Sequence, residues 1–275
     1  MKYSPKLMQE QLDKNNFYFK KKFGQNFIID ENIIKKIVSK AEIDENTIVI
    51  EIGPGSGSLT AELLKYAKQV ICFEIDETLK EILKFDNKNI VIYYEDFLKA
   101  DLKSKIIKKP TDKLYVVANL PYNITTPIIT KIIEDGLDVD KMVLMVQKEV
   151  GNRLKAKPGS KDYSSLSIYL DYYFDVNKLM DVSRNVFMPK PNVDSIIVLF
   201  KKKDIKLLVH NEELFFKLVR DSFKQKRKNI RNNLINYNQD ILIATLNKYK
   251  FDLNARAEQL SIDFFVEMAN KLYDN

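Results

Sequence analysis

T-I-V-I-E-I-G-P-G-S-G-S-L-T-A-E-L-L-K-Y-A, residues 47–67, runs from a β-branched stretch through three glycines into apolar residues at helical spacing. That order reads as a strand, a tight turn and a helix. Gly53, Gly55 and Gly57 lack the Cβ that would keep a backbone away from a ligand. Three readings compete for E-I-G-P-G-S-G. A P-loop requires Gly-Lys-Ser/Thr, and Gly57 is followed by Ser58 and Leu59. A dinucleotide fingerprint requires G-x-G-x-x-G, and the third glycine here arrives one residue early. The third pattern, E-x-G-x-G-x-G after a first strand, suits a cofactor with an amino-acid tail and no pyrophosphate, S-adenosylmethionine. A glycine loop alone is a weak signal.

Working outward, helix-like and strand-like segments alternate. I-I-K-K-I-V-S-K-A (33–41) is an amphipathic helix, and strands follow at 69–75, 89–95, 113–119 and 141–147. Helical patterns lie between or after them at 58–67, 76–85, 126–136 and 149–155. Such alternation predicts βαβ units and an open, doubly wound, mostly parallel sheet. Two further strands, 172–182 and 194–201, have no convincing helix between them and suit a terminal hairpin. From Glu212 onward every segment is helix-like, joined by Asn-rich turns. The expected division is an α/β domain over 1–203 and a small all-α domain over 204–275.

Strand ends give the glycine loop its context. Glu74 lies 21 residues after Gly53, where an acid can accept both hydroxyls of a ribose. Asp96 follows the next strand and can accept an adenine amino group, with Phe97 beside it to pack on the base. Either acid alone reads equally well as a solvated strand end. The fourth strand ends in N-L-P-Y (119–122). An exocyclic amine is a poor nucleophile because its lone pair is delocalised into the ring. The Asn119 side-chain oxygen and a neighbouring carbonyl, aimed by Pro121, can accept its two N–H bonds and direct that lone pair, while Tyr122 offers a face for stacking. As a bare tetrapeptide N-L-P-Y says nothing; after this glycine loop it is specific.

Composition narrows the class. The 275 residues are 45% hydrophobic with 16 Phe and 14 Tyr, enough for a substantial core. The longest apolar runs, such as M-V-L-M-V (142–146), are too short to cross a bilayer, and the N-terminal residues lack a signal-peptide apolar region. One cysteine, Cys72, and one histidine, His210, argue against a disulfide framework, a zinc site or a His-dependent triad. These features predict a soluble cytoplasmic protein without a metal. Residues 1–24 carry +4 and residues 201–250 carry +8, which against a net charge of +7 leaves the remainder at −5. Basic flanks around an acidic body suit a polyanion, with Lys20, Lys21, Lys22 and K-Q-K-R-K-N-I-R (224–231: Lys224, Lys226, Arg227, Lys228, Arg231) as the RNA-binding candidates. Read blandly, the second group is the wet face of a helix.

Four segments carry a resemblance: K-K-F-G-Q-N-F (21–27), E-I-G-P-G-S-G-S-L-T (51–60), N-L-P-Y-N-I-T-T-P-I (119–128) and V-F-M-P-K-P-N-V-D-S (186–195). Together they resemble the KsgA-like family of ribosomal-RNA adenine N6,N6-dimethyltransferases. The resemblance implies a Rossmann-like class I methyltransferase domain, its seven-stranded sheet mostly parallel with the last strand antiparallel, followed by a basic helical domain. It implies transfer of four methyl groups from S-adenosylmethionine, leaving S-adenosylhomocysteine, to two adjacent adenosines near the 3′ end of small-subunit ribosomal RNA. The enzyme would act as a monomer on a partly assembled subunit. Carried over by residue, Gln25, Asn26 and Ile28 would close on the cofactor, with Glu74, Ile75, Asp96, Phe97 and Asn119 around it. Asn119, Leu120, Pro121 and Tyr122 would grip the target adenine, and Phe187 would be its second aromatic wall. Two other identities compete. Resistance-type methyltransferases of large-subunit RNA share this fold but more often carry Ile at the position of Leu120. A non-catalytic assembly factor would keep the fold without the glycine loop, Glu74 or Asn119, all of which are present.

Overall fold

The computed structural model describes residues 5–15, 17–204 and 206–275, except for the side chains of Pro5 and Lys21. Among these residues seven strands form one sheet: Thr47–Ile52 (β1), Gln69–Phe73 (β2), Ile90–Tyr93 (β3), Lys113–Asn119 (β4), Lys141–Gln147 (β5), Phe174–Val182 (β6) and Ser195–Lys202 (β7). Their order is β3-β2-β1-β4-β5-β7-β6. Strands β1 to β5 pair in parallel, and β7 runs antiparallel to β5. The expected mostly parallel sheet with an antiparallel last strand is therefore present, and β6 and β7 are neighbours as a hairpin requires. Every residue of β1 is buried, as a strand covered on both faces demands. Chain order reverses between β1 and β4, and at such a reversal a crevice opens beyond the carboxyl ends of the strands.

Local chemistry explains the helix that flanks this end. Asp30 caps helix Glu31–Ala41 by accepting from the Asn32 and Ile33 amides, and Ile34, Ile37, Val38 and Ala41 form its buried stripe. The helix expected over 76–85 does not form. Residues Glu77–Leu79 make one 3₁₀ turn. The Asp76 carboxylate accepts from Thr78 and also from Lys20 and Gln25, far away in sequence. Leu79, Ile82 and Leu83 all sink into one cluster with Met8, Leu12, Phe17 and Phe27, so tertiary burial overrides the helical period.

The chain forms two compact units, residues 1–151 with 177–202 and residues 152–176 with 203–275. The sequence suggests one boundary, near 203; the structure also has the chain leave the sheet unit at 152 and return at 177. Aromatic packing accounts for the excursion. Tyr172 meets Phe215 at a centroid distance of 5.1 Å, Tyr173 stacks on Phe216 at 5.7 Å, and both hydroxyls donate to the Glu212 carboxylate. Helix Ser165–Tyr173, which carries these tyrosines, is buried nearly all round and so shows no amphipathic period to read. The helical unit holds Glu212–Ser222, Ile230–Asn233, Gln239–Lys248 and Ile262–Asp274. Its Asn-rich turns have a purpose: Asn211, Asn229 and Asn238 each cap a helix N-terminus through the side-chain oxygen.

Candidate active site

A crevice opens at the carboxyl ends of β1 to β4, with about 850 Å³ of empty space when its open mouth is counted. Its walls come from the N-terminal segment 23–28, the glycine loop, the ends of β2 and β3, and the N-L-P-Y turn. Parallel register delivers these parts side by side. Ile52 pairs with Phe73 and Phe73 with Tyr93, so Gly53, Glu74 and the residues after Tyr93 emerge at one edge. The Gly53 amide donates to the Phe73 carbonyl at 2.9 Å and the Glu74 amide to the Tyr93 carbonyl at 2.9 Å, continuing the ladder into the loops.

Gly55 has φ +58° and its missing Cβ would stand 2.6 Å from the Phe27 ring, so both backbone and space require glycine there. Gly57, with φ +77°, ends the turn and starts helix Ser58–Leu63; a Cβ would meet Phe85 at 2.7 Å. Gly57 is not among the lining residues described, so its part is to turn the chain and admit Phe85.

Glu74 is buried, its Oε2 accepting from the Gly55 amide at 3.2 Å and its Oε1 from the Asp76 amide at 2.8 Å. Burial pushes its carboxyl up to about 6. Ile75 beside it is 46% exposed and Phe97 is buried edge-on against Phe73, giving an apolar slot between two acids. Asp96 lines the same slot and turns its own chain through an Oδ1 bond from the Leu98 amide. Such a slot suits a flat base with an amino group and a vicinal diol. Glu51 also lines the crevice, fully buried, accepting from Thr60 Oγ1 at 2.6 Å; burial pushes it up to about 8, so it is neutral at pH 7.

Asn119 sits at the end of β4. Its Nδ2 donates to the Asn26 carbonyl at 2.8 Å, which orients the amide, and its Oδ1 is buried with no hydrogen-bond partner among the described residues. An acceptor held in that state, on the wall of a crevice, is ready for a donor from outside the protein. Tyr122 follows, its hydroxyl 2.7 Å from Ser195 Oγ on β7, so two of the quoted motifs meet through one bond. Burial raises the Tyr122 phenol above its ordinary value, which leaves it a neutral ring and no base.

Gln25, Asn26 and Ile28 line the crevice as well. Gln25 is anchored by Asp76, whose Oδ2 accepts from Gln25 Nε2 at 2.7 Å and whose Oδ1 accepts from Lys20 Nζ at 2.6 Å. Burial works against the charged form of Asp76, but the bonds from Lys20, Thr78 and Gln25 outweigh it and hold the carboxyl below its usual range. The structure does not bring Phe187 into the lining. Phe187 is 3% exposed, on a two-residue strand pairing with Phe27–Ile28, and packs in the core with Ile28, Val182 and Ile197.

Comparison with known proteins agrees with this geometry. A family model described as Ribosomal RNA adenine dimethylase matches residues 16–274. The chain belongs to that family. Membership makes it a methyltransferase acting on adenine in ribosomal RNA. The chain is 45% identical to the Ribosomal RNA small subunit methyltransferase A of Staphylococcus aureus, over 96% of this chain and 93% of that one. A dimethyladenosine transferase from Plasmodium falciparum superposes with a TM-score of 0.73 at 28% identity, covering 90% of this chain and 98% of that one. The 23S rRNA methyltransferase ErmE superposes at 0.62 with 25% identity, covering 90% and 99%.

Several participants had no readable signal. Asp76 reads in sequence only as the first residue of the helix expected over 76–85. Glu51 was visible as part of the glycine motif, but nothing local shows that it is buried and neutral. Family segments do mark 21–27 as relevant, yet only the fold shows Asn26 reaching Asn119, 93 positions away. The basic candidates divide. Lys20 is bridged to Asp76, and the Lys22 ammonium lies 4.7 Å from the Phe23 ring centroid, while the Lys21 side chain lies outside the described residues. Residues 224–228 form a turn between two helices, not a helix face, and Lys224, Lys226, Arg227, Lys228 and Arg231 are all exposed.

Proposed function

We propose that this methyltransferase uses S-adenosylmethionine to dimethylate the N6 amines of two adjacent adenosines near the 3′ end of small-subunit ribosomal RNA. The buried, unpartnered Oδ1 of Asn119 carries the reading: it is an acceptor waiting for an N–H donor at the end of the crevice. The choice of small subunit rests on the 45% identity to the Staphylococcus aureus enzyme against 25% to ErmE.

Glu74 accepts the ribose hydroxyls, Asp96 the adenine amino group, and Ile75 and Phe97 cover the base; the Gly53 and Gly55 backbone admits the amino-acid tail. Bound there, S-adenosylmethionine supplies an electrophilic methyl. Asn119 Oδ1 takes one N–H of the target amine. The Pro121 carbonyl already accepts from the Ile124 amide and Thr125 Oγ1 at 3.2 Å each, leaving the Leu120 carbonyl, aimed by the Pro121 ring, for the other N–H. Held this way, the nitrogen turns its lone pair toward the methyl, an orientational and electrostatic contribution. The base leaves its stack to enter, and Tyr122, braced by Ser195, is its stacking face. The alkylated nitrogen becomes acidic and releases its proton to water, so no strong base is needed. The sole histidine, His210, is bonded to Asp274 in the helical unit. Exposed cations at 224–231 and Lys22 grip phosphates and position the RNA without reading it. The enzyme works as a cytoplasmic monomer on a partly assembled small subunit.

Glu74 gives this reading a pH signature. As pH falls through about 6 its carboxylate takes a proton and loses an acceptor site, so cofactor affinity falls. The limiting slope is roughly tenfold per pH unit, because only the ionised form accepts both hydroxyls. The stability of the cofactor-free protein runs the other way: a carboxyl raised above 4.5 contributes stability fully below that value and loses it as pH rises through 6. Titration calorimetry between pH 5 and 8 should show weakening binding at low pH in wild type. In Glu74→Gln binding should be flat with pH and about tenfold to a hundredfold weaker at pH 7.5, the loss of one or more charged hydrogen bonds.

The substrate assignment is tested by offering labelled cofactor with unmethylated small subunits and with large-subunit RNA in separate reactions. Label in the small subunit supports the proposal. Label confined to large-subunit RNA assigns the enzyme to the resistance type instead.

A further inference from the structure

One backbone carbonyl joins the cofactor side of the crevice to the target side. The Asn26 carbonyl accepts Asn119 Nδ2 at 2.8 Å, and this bond decides which end of the Asn119 amide is the oxygen left without a partner. If the amide turned by 180°, its oxygen would face the Asn26 carbonyl and its NH₂ would face an incoming amine, donor against donor. The orientation therefore depends on where segment 20–26 holds that carbonyl. The segment is fastened by Asp76, a residue 2% exposed. Asp76 Oδ1 accepts from Lys20 Nζ at 2.6 Å and Oδ2 from Gln25 Nε2 at 2.7 Å, while the Lys20 amide donates to Gln25 Oε1 at 2.8 Å. The Asp76 amide donates to Glu74 Oε1, so the fastening point sits two residues from the acid at the cofactor slot. Asn26 Nδ2 donates to the Gly24 carbonyl at 3.0 Å, tightening the same turn.

We propose that Asp76 is a positioning residue for methyl transfer. By clamping Lys20 and Gln25 it keeps the Asn26 carbonyl on Asn119 Nδ2, and so keeps Asn119 Oδ1 turned to the target amine. The inference rests on the reading of Asn119 as the amine acceptor. A merely structural Asp76, capping the turn Glu77–Leu79 through its bond from the Thr78 amide, would not move the Asn119 amide.

The test uses full-length protein labelled with ¹⁵N-asparagine, the Asn119 side-chain amide being assigned by its loss in Asn119→Ala. In wild type one Nδ2 proton exchanges slowly because it is bonded to Asn26. In Asp76→Ala and in Gln25→Ala that exchange should quicken at least tenfold. The kcat for small-subunit methylation should fall roughly tenfold or more, with a change in RNA KM under about threefold, since misplaced reacting groups cost turnover. In an Asn119→Ala background Asp76→Ala should add almost nothing, the non-additivity of residues acting through one another. Unchanged exchange and kcat in variants that melt within a few degrees of wild type overturn the proposal. If Asp76→Ala does not fold, Gln25→Ala, which removes only part of the clamp, decides by the same two readouts. If wild type transfers no methyl group, the proposed function fails, while amide exchange still decides the clamp.

Discussion

Asn119→Ala should lower kcat for methyl transfer by about 10²–10³-fold, the scale of removing one well-placed acceptor or donor from a developing charge. Cofactor affinity should change far less, because Glu74, Asp96 and the glycine loop remain. Asn119→Asp is the sharper control. It keeps the shape but replaces the Nδ2 that donates to the Asn26 carbonyl with an oxygen 2.8 Å from another oxygen. A carboxylate there either swings away or takes up a proton, so the near-isosteric change should rescue little of the lost turnover. Single-turnover transfer to unmethylated small subunits, with calorimetry for the cofactor, separates the two effects. A variant with normal kcat would show that the unpartnered oxygen is not the amine acceptor.

The second large effect concerns the exposed turn of the helical unit. Five exposed cations at 224, 226, 227, 228 and 231 form no ion pair with another described residue. Cations placed this way answer phosphate by releasing counterions. With single-stranded contacts at about 0.7 each, five phosphates correspond to a slope near 3.5 in log affinity against log salt, roughly a hundredfold between 50 and 200 mM. Replacing all five with Gln should therefore flatten the salt dependence of RNA binding by about 3.5, so that the loss of affinity is about a hundredfold greater at 50 mM than at 200 mM salt. Filter binding across a salt series measures both. An unaltered slope would place the RNA elsewhere.

How much of this was legible follows from where each signal lives. The strand–glycine–helix unit at 47–67 could be read because strand burial and glycine freedom are local properties, and the parallel sheet followed from strict alternation. Glu74, Asp96 and Asn119 could be placed on one crevice for the same reason: the carboxyl end of a strand in such a sheet is a predictable place. Burial cannot be read locally. Glu51 is held neutral by burial against the pull of its Thr60 bond, and Asp76 is held charged by Lys20, 56 positions away. The helix expected at 76–85 failed through the same long-range contacts. Phe187 is a motif residue that packs in the core, where sequence alone gave no reason to choose between a wall and a foundation. Segment 152–176 joins the helical unit through tyrosines whose partners lie about 40 residues on, beyond the reach of periodicity.

The central claim is that the crevice delivers methyl groups to adenine N6 in the small subunit. It is tested most directly by digesting small subunits to nucleosides after reaction with wild-type enzyme and labelled S-adenosylmethionine. The account predicts label in N6,N6-dimethyladenosine, at two neighbouring positions near the 3′ end of the RNA, and its loss in Asn119→Ala. Label in any other nucleoside, or equal label with Asn119→Ala, would contradict it.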